Sequence, residues 1–172
     1  MGDRGWERQP KRLGPDVAGV IVEQLADLHQ RQGRPFSIVL HGGEPLLLGR
    51  TRLEALLAAL AAAVPECGLH LQTNGTLLDR AILDLCAEYR VGISISLDGP
   101  EDVTNRFRVD HQGYGSYTRV MTAVKALRRH PAADQLFAGL LAVVDPSTDP
   151  HEIYGFFKRT GTPSVDFLYR DG

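Results

Sequence analysis

Phe36-Ser37-Ile38-Val39-Leu40-His41-Gly42-Gly43-Glu44-Pro45 is a short apolar run with strand character that breaks into two glycines, a carboxylate and a proline. Paired glycines let the backbone approach a bound molecule without Cβ interference, and Pro45 fixes φ and ends the ladder by removing a donor. Glu44 is thereby held at a strand end, beside free glycine carbonyls, in a setting suited to an ammonium group. Taken alone, the glycine pair also fits an ordinary strand-to-loop turn with a solvated Glu44.

Outward from this stretch, helical and strand periods alternate with little between them, the pattern of repeated βα units and a parallel sheet or barrel. Upstream, Pro15 and Asp16 open a helix whose apolar Val17, Val20, Ile21, Leu25 and Leu28 fall on one face, expected to be core, with Gly33 past its end. Downstream, Leu53, Leu56, Leu57, Leu60 and Val64 form a second stripe that Pro65 stops, and 69–73 reads as a strand ending in Asn74-Gly75. A third helix buries Leu78, Ile82, Leu85, Cys86 and Tyr89; the strand 92–97 then ends at Asp98-Gly99-Pro100. A long polar loop comes next. Ser116 is the expected N-cap of a helix with Tyr117, Val120, Met121, Val124 and Leu127 inward, and 137–144 is a strand. Asp149, Pro150 and Glu152 resemble a capping box opening a helix that buries Ile153, Phe156 and Phe157, and 165–169 is the last strand. The series has five helices and five strands and begins with a helix. Since a βα barrel begins with a strand, the first strand is expected to be absent, leaving an unpaired edge on the sheet that starts at Ile38.

The 172 residues, 43% hydrophobic, suit one domain with a sizeable core. A net charge of -2 with interspersed signs offers no basic field for nucleic acid and no polybasic surface for anionic lipid. The most apolar helix-like stretch, 53–64, is too short to span a bilayer, and the polar N-terminus lacks the apolar core of a signal peptide, so the default location is the cytosol. Cys67 and Cys86 are too few and too far apart for a metal-binding pair or a redox motif; no metal site is expected, and Cys86 reads as a buried thiol on a helix.

In parallel βα architectures ligands sit at the carboxyl ends of the strands, and the polar residues concentrate there. After His41-Gly42-Gly43-Glu44-Pro45 comes Gln72-Thr73-Asn74-Gly75, and then Ser94, Ser96 and Asp98 at alternating positions before Gly99. Alternation puts those three side chains on one face, inward in a barrel, with Ile93, Ile95 and Leu97 turned to the helices. Such a stack is costly unless a polar ligand fills the lumen, or unless the groups bond one another and buried water. Arg106 and Arg108 lie in the loop after this strand; either could clamp a carboxylate bidentately or stay on the surface. The histidines show no partner pattern, and no catalytic acid or base is assigned.

Leu40-His41-Gly42-Gly43-Glu44-Pro45-Leu46-Leu47, Gln72-Thr73-Asn74-Gly75-Thr76-Leu77-Leu78 and Ser94-Ile95-Ser96-Leu97-Asp98-Gly99-Pro100 together resemble the radical S-adenosylmethionine superfamily. More narrowly, they resemble its peptide- and protein-modifying branch with SPASM or twitch extensions, which includes anaerobic sulfatase-maturating enzymes and maturases of ribosomal peptides. The resemblance runs from about Trp6 to the end of the chain. It implies a partial parallel (βα)6 α/β barrel over residues 1–172, a radical SAM core lacking its first strand and cluster loop, with no SPASM domain. It implies that Gly42, Gly43, Glu44 and Pro45 form the motif holding the methionyl ammonium of S-adenosylmethionine. Ser96 and Arg108 would meet its carboxylate, and the backbone of Leu168 would lie beside the adenine. Gln72, Asn74 and Asp98 match lumen positions that shape the cofactor and substrate cavity. The implied partners are a peptide or protein substrate and an electron donor.

Two features depart from the family. Thr104-Asn105 stands where relatives often have His-Asp, which leaves the register of the arginine loop open. The family's chemistry also depends on a Cys-x3-Cys-x2-Cys loop whose three thiolates hold a four-iron four-sulfur cluster, leaving one iron for S-adenosylmethionine. This sequence contains no such triplet, and Gly5-Trp6-Glu7-Arg8-Gln9-Pro10 resembles the segment just downstream of that loop. In an intact relative, the reduced cluster cleaves the sulfonium to a 5′-deoxyadenosyl radical that abstracts a substrate hydrogen. The expectation here is a piece of such an enzyme, inactive alone. The alternatives are a cluster-free, catalytically silent module for an adenosine-like ligand or peptide, and an unrelated α/β barrel binding phosphate at a helix N-terminus.

Overall fold

A computed structural model of the chain describes residues 13–169, so the segment Gly5–Pro10 lies outside the described residues. Five strands, β1 (Ser37–Leu40), β2 (Gly68–Thr73), β3 (Gly92–Ser96), β4 (Phe137–Val144) and β5 (Val165–Tyr169), form one sheet in chain order, every pairing parallel. Parallel neighbours need a crossover at each step. These are α2 (Arg50–Ala63), α3 (Arg80–Glu88), a path through α4 (Glu101–Phe107), α5 (Tyr117–Arg128) and the short α6 (Ala133–Leu136), and finally α7 (Pro150–Thr160); α1 (Pro15–Gln32) precedes β1. Right-handed crossovers between sequential strands put the helices on one face of the sheet, leaving the other face concave. This is an open section of a parallel α/β barrel, as the strand and helix periods predict.

The core lies between sheet and helices. On β3 and just beyond it, Ile93, Ile95 and Leu97 are 0% exposed, and they meet Leu53, Leu57 and Leu60 of α2, Leu83, Leu85 and Cys86 of α3, and Val124 and Leu127 of α5 in one cluster. Full burial of each such side chain contributes about 1.5–3 kcal/mol. Phe157 of α7 stacks edge-on against Phe167 of β5 with ring centroids 5.8 Å apart, which turns Asp166 and Leu168 to the concave side.

Three expectations are corrected. No residue of α1 is buried: Val17, Val20, Ile21 and Leu28 are exposed, and only Ala18, Val22, Leu25 and Ala26 pack partly on the core. The helix rests on α2, while the outer edge of β1 pairs with no strand among the described residues, and no described strand covers the remaining apolar side of α1. The stretch expected as a polar loop contains α4, pinned by Thr104, whose Oγ1 donates to the Gly99 carbonyl (2.8 Å) and accepts from the Gly99 N–H (3.2 Å). Ser116 does not cap α5 through its side chain; its Oγ is buried without a partner. Asn105 supplies the cap from α4, its Oδ1 accepting from Tyr117 N at 3.0 Å. Asp149 does cap α7, accepting from His151 N at 2.9 Å.

Candidate functional site at the strand ends

Beyond β1 the backbone turns at Gly42, whose φ of 147° lies in a region that L side chains rarely adopt, and open space surrounds the Cβ positions of Gly42 and Gly43. Pro45 then opens a 3-10 turn, Pro45–Leu48. Glu44 is not a solvated turn residue. Its Oε1 accepts from Leu46 N (3.0 Å) and Thr73 Oγ1 (2.7 Å), and its Oε2 from Asn74 N (2.8 Å), tying the end of β1 to the end of β2. An ionised carboxylate has about four acceptor positions, so one remains, on Oε2. A cavity of about 750 Å³ adjoins β1 and is lined by Gly42, Gly43, Glu44 and Pro45 together with Ile21 and Leu28 of α1.

On the concave face Ser94 and Ser96 are half-buried, opposite the buried Ile93 and Ile95, as the alternation predicts. Gln72 Nε2 donates to Ser96 Oγ at 3.0 Å, which fills an acceptor position and leaves the serine proton to donate elsewhere. Asn74 spends its side chain locally: Oδ1 accepts from Thr76 N (2.9 Å) and Thr76 Oγ1 (2.7 Å), closing the turn into α3.

Arg108, the C-cap residue of α4, is no surface arginine. Its Nε and Nη2 donate to Asp98 Oδ2 and Oδ1, both at 2.7 Å, and Asp98 Oδ1 also accepts from Val143 N at 2.9 Å. Arg106 pairs instead with Asp145 beyond β4. Hydrogen bonds from Ser147 N–H and Oγ–H, with a smaller contribution from Arg106, hold the Asp145 carboxyl below the usual carboxylate range. Leu168 sits on exposed β5 in register with Val143.

All the predicted residues but Leu168, which stands apart on β5, thus fall into three groups at the carboxyl ends of the strands: Gly42 to Pro45 with Asn74, Gln72 with Ser96, and Asp98 with Arg108. Glu44 and Arg108 line different cavities, the latter a hollow of about 270 Å³ shared with Asp98, Val143 and Asp145, and the Gln72–Ser96 pair lies on the strands between them. Sequence reasoning missed Thr73, which both steadies Glu44 and accepts from Gly75 N at 3.0 Å. The parallel register, with Leu40 beside Leu71, brings Thr73 level with the glycine turn, but that register is not written in either segment alone.

Among the described residues no group of three or more His, Cys, Asp and Glu could hold a metal ion. Cys67, in the turn before β2, and Cys86, on α3, are both buried, and desolvation pushes the Cys86 thiol up to about 12. No helix of the described residues is long and apolar enough to cross a membrane.

A parallel barrel section with its polar residues gathered at the strand tips defines an α/β barrel core with a candidate site at its strand ends. The sequence pattern of the Radical SAM superfamily matches residues 4–152, and the chain belongs to that superfamily. It is 32% identical over 121 residues to the serine-type anaerobic sulfatase-maturating enzyme of Klebsiella aerogenes, covering 69% of this chain and 29% of the relative. It is 31% identical over 100 residues to the cysteine-type enzyme of Clostridium novyi, covering 57% of this chain and 26% of that one. The solved structure described as native anSMEcpe with bound AdoMet and Kp18Cys peptide superposes with a TM-score of 0.79 at 24% identity, over 91% of this chain and 43% of that one. The chain therefore spans less than half the length of these relatives.

Proposed function

We propose that this chain is the S-adenosylmethionine-binding core of a radical SAM enzyme that modifies a side chain of a peptide or protein, in the manner of sulfatase-maturating relatives. The observation that carries the reading is the polarity left over at the strand tips. Glu44 keeps one acceptor position beside two glycines with open space in front of them, while Ser96 keeps a proton and Arg108 keeps one edge of its guanidinium. An α-amino-acid head group carries the complementary charges. In this reading Gly42, Gly43 and Glu44 take its ammonium, Ser96 and Arg108 take its carboxylate across the Gln72–Ser96 bridge, and Leu168 offers its backbone to the adenine. Pro45 and Asp98 hold the loop and the arginine in place, and Asn74 shapes the turn. When bound, S-adenosylmethionine supplies a 5′-deoxyadenosyl radical on one-electron reduction by an iron-sulfur cluster.

The chain's own cysteines do not fit that cluster: two buried thiols, Cys67 in a turn and Cys86 on a helix with its proton held by burial, give no three-thiolate loop. The proposal for these residues is accordingly cofactor binding, orientation and shelter from water. A peptide substrate and an electron donor belong to the complete reaction and are inferred by likeness to the peptide-bound relative. A cytosolic setting agrees with this chemistry.

Isothermal titration of the chain with S-adenosylmethionine tests the reading. Removal of a charged hydrogen-bond partner is worth about 1.5–3 kcal/mol, so Glu44→Gln and Arg108→Gln should each weaken binding about tenfold or more. Heat on addition of phosphate or ATP, with none on addition of S-adenosylmethionine, would overturn it.

A further inference from the structure

We infer that Asp98 is a positioning residue: by occupying the side-on edge of the Arg108 guanidinium, it presents the opposite edge to the acid group of a ligand. The inference rests on the reading of Arg108 given under Proposed function and deepens it. A guanidinium offers five N–H donors in a rigid plane, one on Nε and two on each Nη. Asp98 takes the Nε–H and one N–H of Nη2, the side-on fork. The two protons of Nη1 and the second of Nη2 remain, and the Nη1/Nη2 edge is itself a bidentate fork for a carboxylate. No acceptor among the described residues meets that edge.

The free edge belongs to the more open end of the pair. Asp98 is only 5% exposed in its side chain against 25% for Arg108, so the pair is anchored at its acidic end and opens at its basic end. Asp98 is itself held by Val143 N, which ties the fork to β4 as well as to the tip of β3. The backbone of Arg108 is pinned on both sides, its N–H donating to Thr104 O (2.9 Å) and its carbonyl accepting from Ser116 N (3.0 Å). An arginine fixed at backbone and at one edge loses little further freedom when the other edge binds. Arg108 therefore need not release Asp98 to bind an acid group; it holds both at once.

Electrostatics and orientation predict opposite signs here, which makes the inference testable. Asp98→Asn removes a negative charge beside Arg108, so attraction alone predicts tighter binding of an anionic group, whereas lost orientation predicts weaker binding. The experiment titrates the chain with S-adenosylmethionine and with its decarboxylated analogue. The wild-type chain should prefer the carboxylate-bearing ligand by about tenfold, as expected for a charge-assisted bidentate pair. Asp98→Asn should lose most of that preference, its affinity for the carboxylate-bearing ligand falling more than its affinity for the analogue. Equal or stronger preference in Asp98→Asn overturns the inference. Arg108→Lys keeps the charge and the partner of Asp98 but removes the planar fork; it too should lose the preference, and retention of it overturns the inference even if Asp98→Asn fails to fold. A wild-type chain that binds neither ligand defeats the proposed function instead. The positioning is then decided on the ligand-free chain by 15N NMR of the arginine side chains. Slow guanidinium rotation and a protected Nε–H at Arg108 support it; a signal averaged like that of an exposed arginine sinks it.

Discussion

β3 and α1 carry aliphatic residues of the same kinds, yet Ile93, Ile95 and Leu97 are 0% exposed whereas Val17, Val20, Ile21 and Leu28 are between 40% and 56% exposed. The difference is in what surrounds them. β3 has a strand on each side and helices behind it, so its alternating residues are enclosed from every direction. α1 packs mainly on α2, and the strand nearest it, β1, is four residues long and pairs on one edge only among the described residues. An apolar stripe states which face of an element is to be covered; whether it is covered depends on an opposing surface supplied elsewhere.

The largest expected effect tests this contrast directly. Ile95→Ala removes a wholly enclosed side chain and should cost about 2–5 kcal/mol in urea unfolding, the range for large-to-small changes in a packed core. Val20→Ala on the exposed side of α1 should stay within about 0.5 kcal/mol. Comparable costs at the two sites would mean that the α1 face is covered in solution, by a second copy or another segment, and concentration dependence of the Val20→Ala effect would distinguish these.

A second, smaller test concerns the polar ties that order the layer behind β3. Asn105→Ala removes the acceptor for Tyr117 N at the start of α5 and should cost about 1 kcal/mol, the usual worth of an N-cap. Ser116→Ala deletes a buried hydroxyl that has no partner and should be neutral or slightly stabilising. The reverse ranking would restore Ser116 as the working cap and would remove Asn105 from the structural account of α4 and α5.

That ranking also marks the limit of what the sequence discloses. Strands β4 and β5 are legible to the residue, and β2 and β3 to within one, because β-branched and aliphatic runs end at Gly, Pro or Asn-Gly, and those signals are local. The positions of Glu44, Ser96 and Asp98 at strand tips are set by the same punctuation. Helix α4 is not legible, since only Val103 and Thr104 are buried in its seven residues and no apolar period marks it; Thr104 is held by a hydrogen bond to Gly99 that the sequence does not announce. The same holds for the cap from Asn105, twelve positions before Tyr117, and for the partner of Arg108, ten positions back at Asp98. Sequence spacing names the participants at the strand ends, and only the tertiary arrangement pairs them.

The smallest expected effect is one of pH, at the turn just past β4. Asp145 Oδ1 accepts from Ser147 N (3.0 Å) and Ser147 Oγ (2.7 Å), and Oδ2 accepts from Arg106 Nη1 (2.6 Å). The Ser147 bonds lead in holding this carboxyl below its ordinary value, Arg106 assists, and the two together exceed the upward push of desolvation. A carboxyl whose folded-state pKa is depressed contributes stability that is fully present above its unfolded value, about 3.9, and is lost as pH falls through the lower folded value. Thermal melts from pH 6 down to pH 2 should therefore show the wild-type chain above Asp145→Asn at the upper end, with the gap closing only below about pH 4. The amide resonance of Ser147 should titrate over the same acidic window. Because the group sits at the surface, salt should narrow the gap, unlike the Ile95 effect, which salt should leave alone. A gap that widens on acidification has the wrong sign for this arrangement and would remove Asp145 from the ties that hold the β4 end of the sheet against α4.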